Sequence, residues 1–298
     1  MRGKVRETVG LVAGTAFVVL LAGAGSAQAV TYKTGPTVTI PVGEIATTKV
    51  KCPGKQHVLS GGQYIFSGLH EVRLTRSQPY DSPDKGKKPD DGWIVSAAGY
   101  APSGGTVTPT AICDRKAPVY RATKLKGAGP VFEGAKSKTA ELECPRGTFA
   151  VGGGAGIGGG WSSGGVLSFS APFPVRDERA DEGWHAEVLD FIGGPSSFPA
   201  NKARLFAICA ERRPVYVRAE TVAPQQGYGE VYAICPAGTA LLGGGAWVVL
   251  PSDNFVTISN PEDGDDPGTK PDDAWLAEAD NESTMFSTSL ISYAICRP

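Results

Sequence analysis

Short stretches of alternating apolar and polar residues recur along this chain, and Pro, Gly, Asp and Asn separate them. The clearest runs from Val215 to Val222 and has the period of two that a half-buried strand requires. Further short apolar runs follow it: Glu230 to Cys235, Ala240 to Leu250, Phe255 to Ser259, Trp275 to Asp280 and Ser289 to Cys296. After residue 29 no segment sustains the apolar spacing of a capped helix. The pattern predicts an all-β protein with short antiparallel strands.

These strands belong to a unit that occurs three times at an even spacing. Each copy opens with Cys-Pro, passes a glycine run and a Ser-x-Pro, reaches Trp after an acidic pair, and closes on Ala-Ile-Cys. The opening cysteines are Cys52, Cys144 and Cys235, and the closing ones are Cys113, Cys209 and Cys296. We therefore predict three β repeats, at residues 36–115, 116–212 and 213–298.

The N-terminal 29 residues have the composition of a secretory signal peptide. A basic start precedes an uncharged apolar stretch from Val9 to Ala24, and Ala27-Gln28-Ala29 fits a cleavage site. We expect export and release, with no membrane anchor after cleavage, because no second apolar run follows. The predicted location is secreted and extracellular.

Cysteines in an exported chain are most simply explained as disulfides. Opening and closing cysteines have nearly the same separation in all three copies, which favours one disulfide within each repeat. Zinc ligation is not favoured, because the chain has no C-x-x-C motif or Cys/His cluster.

The linkers between copies are only a few residues long and lack a Gly/Ser spacer. Short joints favour packed neighbours, and glycine runs at one strand position suggest that another backbone approaches closely. We therefore favour three pseudo-equivalent, disulfide-stapled antiparallel units in a compact, prism-like threefold assembly over tandem sandwiches.

The repeat resembles two groups of secreted proteins. Cys-Pro-x-Gly, the glycine run and the closing Ala-Ile-Cys are similar to repeats in secreted proteins of filamentous soil bacteria. The motifs at Cys144-Pro145-Arg146-Gly147 and Cys235-Pro236-Ala237-Gly238 also resemble, more distantly, the vitelline membrane outer layer proteins, although Gly54 stands one place earlier. That second resemblance implies a threefold β-prism, and neither resemblance implies an active site.

The acidic pair before Trp is the candidate binding feature. Indole faces stack on sugar C–H groups, and carboxylates accept hydrogen bonds from hydroxyls. The candidate ligand-binding residues are Asp91, Trp93, Glu182, Trp184, Asp273 and Trp275. The alternative is that each Trp is a core anchor, because Trp275 shares one strand face with Ala277 and Ala279.

The remaining features limit the function classes. A formal net charge of −1 gives no general attraction to nucleic acid. We expect no enzyme, no cofactor and no metal site, since no nucleophile, base and orienting group come together in the sequence.

The leading hypothesis is a lectin-like protein that binds extracellular glycans. A structural or interaction component with a protein partner, and a protease inhibitor using the segment from Ala171 to Val175, are the alternatives.

Overall fold

The structure, a computed structural model, describes residues 30–67, 72–82, 88–100, 104–130, 136–157, 165–173, 182–190, 203–249, 254–263 and 272–298. Over these residues it contains twenty β-strands, which confirms the all-β class. The predicted signal segment, residues 1–29, lies outside this part of the chain.

The strands divide among the repeats in the same order each time. Repeat 1 contributes β1 (Thr31–Thr34), which lies before the start predicted at residue 36. It also contributes β2 (Val38–Ile40), β3 (Ile45–Lys51), β4 (His57–Ser67), β5 (Val72–Tyr80), β6 (Gly92–Gly99) and β7 (Gly105–Asp114). Repeat 2 contributes β8 (Val119–Lys124), β9 (Lys126–Pro130), β10 (Lys136–Glu143), β11 (Phe149–Ile157), β12 (Gly165–Phe173), β13 (Gly183–Asp190) and β14 (Ala203–Ala210). Repeat 3 contributes β15 (Val215–Ala223), β16 (Gly227–Ile234), β17 (Ala240–Val248), β18 (Asn254–Glu262), β19 (Ala274–Asn281) and β20 (Thr288–Arg297).

Three antiparallel sheets form, and each takes its strands from two repeats. Sheet A has the order β1-β7-β4-β18-β19-β16, sheet B has β3-β6-β5-β11-β14-β8, and sheet C has β15-β20-β17-β12-β13-β10. Strands β2 and β9 add a seventh strand to sheets A and C. Sheet A thus joins repeats 3 and 1, sheet B repeats 1 and 2, and sheet C repeats 2 and 3.

The strand exchange is cyclic, which excludes three independent sandwiches. The glycine-run strand of each repeat pairs with the Ser-x-Pro strand of the preceding repeat, and repeat 1 pairs with repeat 3. The three junctions have equivalent registers: Gln63 opposite Ser259, Ala155 opposite Ser77, and Ala246 opposite Ser170. The prediction of a closed threefold arrangement is confirmed.

The glycine runs allow these junctions to close. A Cβ on Gly62 would lie 2.0 Å from the carbonyl oxygen of Ser259 in the neighbouring strand. At the equivalent places, a Cβ on Gly154 or Gly245 would lie 2.3 Å or 2.6 Å from the facing carbonyl oxygen. Only glycine fits at this approach, as the sequence predicted.

The predicted disulfide pairing is also confirmed: Cys52–Cys113, Cys144–Cys209 and Cys235–Cys296. In each bridge the opening cysteine directly follows a strand of one sheet, and the closing cysteine lies in a strand of another. Each bridge therefore links two sheets at the same end of the repeat.

The core lies between the three sheets and is shared by the repeats. One buried cluster includes Leu59, Val151 and Leu242, which occupy equivalent positions beside the three glycine runs. A repeat that leaves the assembly would expose its side of this cluster to water.

Candidate functional site

The three repeated tryptophans lie in the core. Trp93 and Trp184 are 1% exposed and Trp275 is 0% exposed. Their indole nitrogens donate hydrogen bonds of 2.9, 2.8 and 3.0 Å to serine hydroxyls, and the acceptors are Ser77, Ser170 and Ser259. Each acceptor is the serine of the Ser-x-Pro motif, so the repeat retains Trp and Ser as a buried pair.

Glycine backbone covers each indole from one side. A Cβ on Gly61, Gly153 or Gly244 would lie 2.4, 2.3 or 2.2 Å from the nearest ring atom of its tryptophan. A sugar ring has no access to these faces. The expectation that Trp93, Trp184 and Trp275 stack on a glycan is therefore corrected, and they are core anchors.

The acidic pairs build the disulfide end of each repeat. The amides of Cys52, Cys144 and Cys235 donate to the backbone carbonyls of Asp91, Glu182 and Asp273 at 2.8, 2.8 and 2.7 Å. The Asp91 carboxylate also accepts the amide of Ser82 at 2.6 Å. The backbone at this position therefore holds the opening cysteine in the same way in all three repeats.

A different surface, the outer face of sheet A, combines aromatic and acidic side chains. Along β16 the exposed residues are Tyr228, Glu230, Tyr232 and Ile234, while the alternate positions face inward. Tyr228 is 58% exposed and Tyr232 is 42% exposed. This alternation places two phenol rings beside a carboxylate on one edge strand.

Carboxyl groups of β18 and β19 extend this surface. Glu278 lies directly opposite Glu230, and Asp280 lies opposite Tyr228. Glu262 follows on β18, where its Oε1 accepts a hydrogen bond of 3.3 Å from Asn260. We call the set Tyr228, Glu230, Tyr232, Glu262, Glu278 and Asp280 the acidic face.

These neighbouring groups influence each other's ionisation. Burial, together with the charges of Asp280 and Glu230, raises the pKa of Glu278 to about 7. A hydrogen bond to Glu230, together with burial and nearby carboxylates, raises the pKa of Tyr232 to about 12. At neutral pH Glu278 therefore exchanges a proton readily, whereas the Tyr232 phenol stays protonated.

Two more aromatic residues lie across the sheet from β16. Tyr64 and Phe66 on β4 are 40% and 69% exposed, while Gln63 and Ile65 between and beside them are buried. Strand β4 pairs with β18, so the carboxyl groups have aromatic side chains on both sides.

The equivalent surfaces of the other two sheets have different chemistry. On sheet B one cross-strand row carries Lys124, Arg204 and Arg76, with Gly156 between the two arginines. On sheet C, Trp247 stacks on Phe169 at 5.6 Å. The three repeats share a core and a backbone, and they differ on the outside.

His185 belongs to the aromatic group on sheet C. Its ring centroid lies 4.7 Å from that of Phe169 and 5.8 Å from that of Trp247. Burial among these rings lowers the pKa of His185 to about 4. The His185 ring is therefore half-buried within this aromatic group.

The segment considered as a protease-inhibitory loop lies only in part within the described residues. Ala171 to Phe173 lie in strand β12, so this part of the proposed inhibitory loop is paired sheet, and 174–175 lie outside the described residues.

Within the described ranges, no three His, Cys, Asp or Glu side chains form a group able to hold a metal ion. The same ranges contain no helix long and apolar enough to cross a membrane.

The sequence did not predict the acidic face, because its residues are not shared by all three copies. The signal was present in the alternation of Tyr228, Glu230 and Tyr232, but only repeat 3 carries it. The sequence could not show that β18 and β19 would place their carboxyl groups beside this strand.

Compared with known proteins, the chain matches no family model and no curated protein. The fold is therefore established by its own strand pairing, and no family is identified.

Proposed function

We propose that this protein is an extracellular glycan-binding protein and that the acidic face is its binding surface. The observation that carries this proposal is the alternation of exposed tyrosines with carboxylates on an ordered sheet. Tyr228 and Tyr232 offer apolar ring faces with a polar hydroxyl, and Glu230 lies between them. Sugars present the same mixture of C–H faces and hydroxyl groups.

The charge of the surface indicates which glycans fit. Carboxylates accept hydrogen bonds and attract cations, so Glu230 and Glu262 favour hydroxyl and ammonium donors over anionic sugars. Glu278, whose pKa is near 7, can either accept or donate at neutral pH. Neutral glycans and glycans with free amino groups are the expected ligands.

An extracellular role agrees with the three disulfides, since such bonds persist in oxidising compartments. Closing a loop of this length restricts the unfolded chain and stabilises the fold by about 4 kcal/mol per bridge in the entropy model. Three bridges suit a protein that must survive outside the cell.

Calorimetric titration with three sets of oligosaccharides tests the proposal: glucosamine, N-acetylglucosamine and glucuronate oligomers. We expect binding of the first two, and at least tenfold weaker binding after Tyr232→Ala or Glu230→Gln. Glu141→Gln is the matched control for Glu230→Gln, because Glu141 is an exposed carboxylate on strand β10 of sheet C. No binding of any oligomer by the parent protein, or equal loss in the control, would overturn the proposal.

A specific feature favours a second candidate, an interaction component of an extracellular complex. The buried Asn281 side chain donates to the carbonyls of Ala223 and Phe286, at 3.1 and 3.0 Å, and accepts the amide of Ser283. This loop presents Met285, 55% exposed, in an ordered arrangement that suits docking to a protein. A stoichiometric partner recovered from culture medium by the parent, and lost with Met285→Ser, would support this candidate.

A further inference from the structure

A depression of about 830 Å³ opens where the two linkers between repeats meet the end of repeat 3. Its floor includes Leu59, Val151 and Leu242, one residue from each repeat at equivalent positions. Its walls are the linker segments 114–118 and 210–214 together with Arg297 and Pro298. This volume is in the range of small-molecule sites.

Positive charge dominates the walls. Five basic side chains and two acidic ones line the depression, whereas the whole chain has a formal net charge of −1. The basic residues are Arg115, Lys116, Arg212, Arg213 and Arg297, and the acidic ones are Asp114 and Glu211. The walls of the depression therefore carry an excess of positive charge, although the chain as a whole is nearly neutral.

Each of the two acidic residues in the walls pairs with one of the basic residues. Asp114, 4% exposed, accepts a hydrogen bond from the Arg297 guanidinium, which fixes that arginine in the wall. Glu211 pairs with Lys116 at 3.0 Å. Arg115 and Arg212 are exposed and form no ion pair with any described residue.

We infer that this depression binds a ligand carrying several phosphate or carboxylate groups. Guanidinium groups bind both oxyanions through paired N–H donors, and two unpaired arginines flank a cavity with an apolar floor. The ligand-binding surface proposed above lies on sheet A and is acidic, so the two sites take opposite charges and each proposal stands without the other.

Titration with inorganic tripolyphosphate and with citrate tests the site and separates phosphate from carboxylate. We expect the double variant Arg115→Gln/Arg212→Gln to weaken binding of the preferred anion at least tenfold in 50 mM salt. Added salt should weaken binding by the parent, because the contact is between exposed charges. Both residues are exposed, so the double variant should retain the thermal unfolding midpoint of the parent.

Arg121→Gln/Arg204→Gln is the matched control, since it removes the same charge from two exposed arginines outside the depression. It should bind like the parent. The inference is overturned if neither anion binds the parent, or if Arg115→Gln/Arg212→Gln leaves the affinity unchanged. Equal weakening in the control would mean non-specific charge attraction and would also overturn it.

Discussion

The indole nitrogen of Trp93 donates a hydrogen bond of 2.9 Å to the hydroxyl of Ser77, and the same pair recurs in the other two repeats. Ser77→Ala would leave a buried donor without its acceptor. We expect a loss of about 1–3 kcal/mol in the free energy of unfolding, measured by urea denaturation. The equivalent Ser170→Ala and Ser259→Ala should have losses of similar size.

The control for this series is Ser287→Ala, because Ser287 is exposed. It should leave stability within the scatter of surface substitutions, about 0.5 kcal/mol. If Ser77→Ala behaves like Ser287→Ala, the buried pair does not contribute as described.

Gly153→Ala tests the contact between glycine backbone and indole. The added Cβ would lie 2.3 Å from Trp184 Cγ, so either the ring or the strand must move. We expect destabilisation of about 3 kcal/mol, at the upper end of ordinary overpacking effects. Thermal unfolding measures it.

Gly147→Asn is the contrasting variant. Gly147 has a φ of +82° and no heavy atom within 4 Å of the added Cβ, and asparagine tolerates this backbone region better than most residues. It should cost much less than Gly153→Ala. Equal losses would mean that backbone conformation rather than the indole contact explains the glycine run.

The sequence alone predicts part of this structure. The repeat predicted strands, disulfide pairs and close backbone approach, because each follows from local spacing or from residue type. It did not predict which repeats share a sheet, since pairing of Gln63 with Ser259 depends on contacts between distant parts of the chain. The acidic face lies within repeat 3, and it depends on the pairing of β16 and β18 with β19, which the sequence did not predict either.

Removing one disulfide by Cys235→Ala/Cys296→Ala should lower the free energy of unfolding by about 4 kcal/mol in the entropy model. Cys52→Ala/Cys113→Ala should cause a similar loss, because both bridges span 61 residues. Urea denaturation of the two double variants checks this. A loss below about 1 kcal/mol in both would contradict the account of the bridges as major staples.

Glu278 should make the fold more stable in acid. Its pKa is about 7 in the folded protein, above the ordinary carboxyl value of 4.5, so the folded state holds a proton that the unfolded state releases. This stabilising contribution is present below pH 4.5 and is lost as the pH rises through 7. Unfolding measured at pH 4 and pH 8 should show the difference.

Glu278→Gln keeps the shape and removes the ionisation. The variant should therefore gain stability relative to the parent at pH 8 and match it at pH 4. Glu44→Gln, at an exposed position, should leave the pH profile of the parent unchanged. An unaltered profile in Glu278→Gln would contradict the assignment.

His185 should remain neutral well below the usual pH range of histidine. Its pKa is about 4 because burial among aromatic rings disfavours the charged imidazolium. The neutral form is favoured by the fold, so this contribution is full above pH 6.5 and is lost as the pH falls toward 4. An NMR titration of the imidazole signals checks this, and a midpoint near 6.5 would be inconsistent with the packing.

The cyclic exchange of half-sheets makes the three repeats parts of one folding unit. A single repeat would carry two half-sheets, each ending in an unpaired edge that only another copy could complete. Such a fragment would fold only as a trimer, with the junctions now made inside one chain made between chains. The covalent linkage of three copies removes that dependence on concentration, and it also releases each copy from symmetry, so that a substitution on one outer face need not appear on the others.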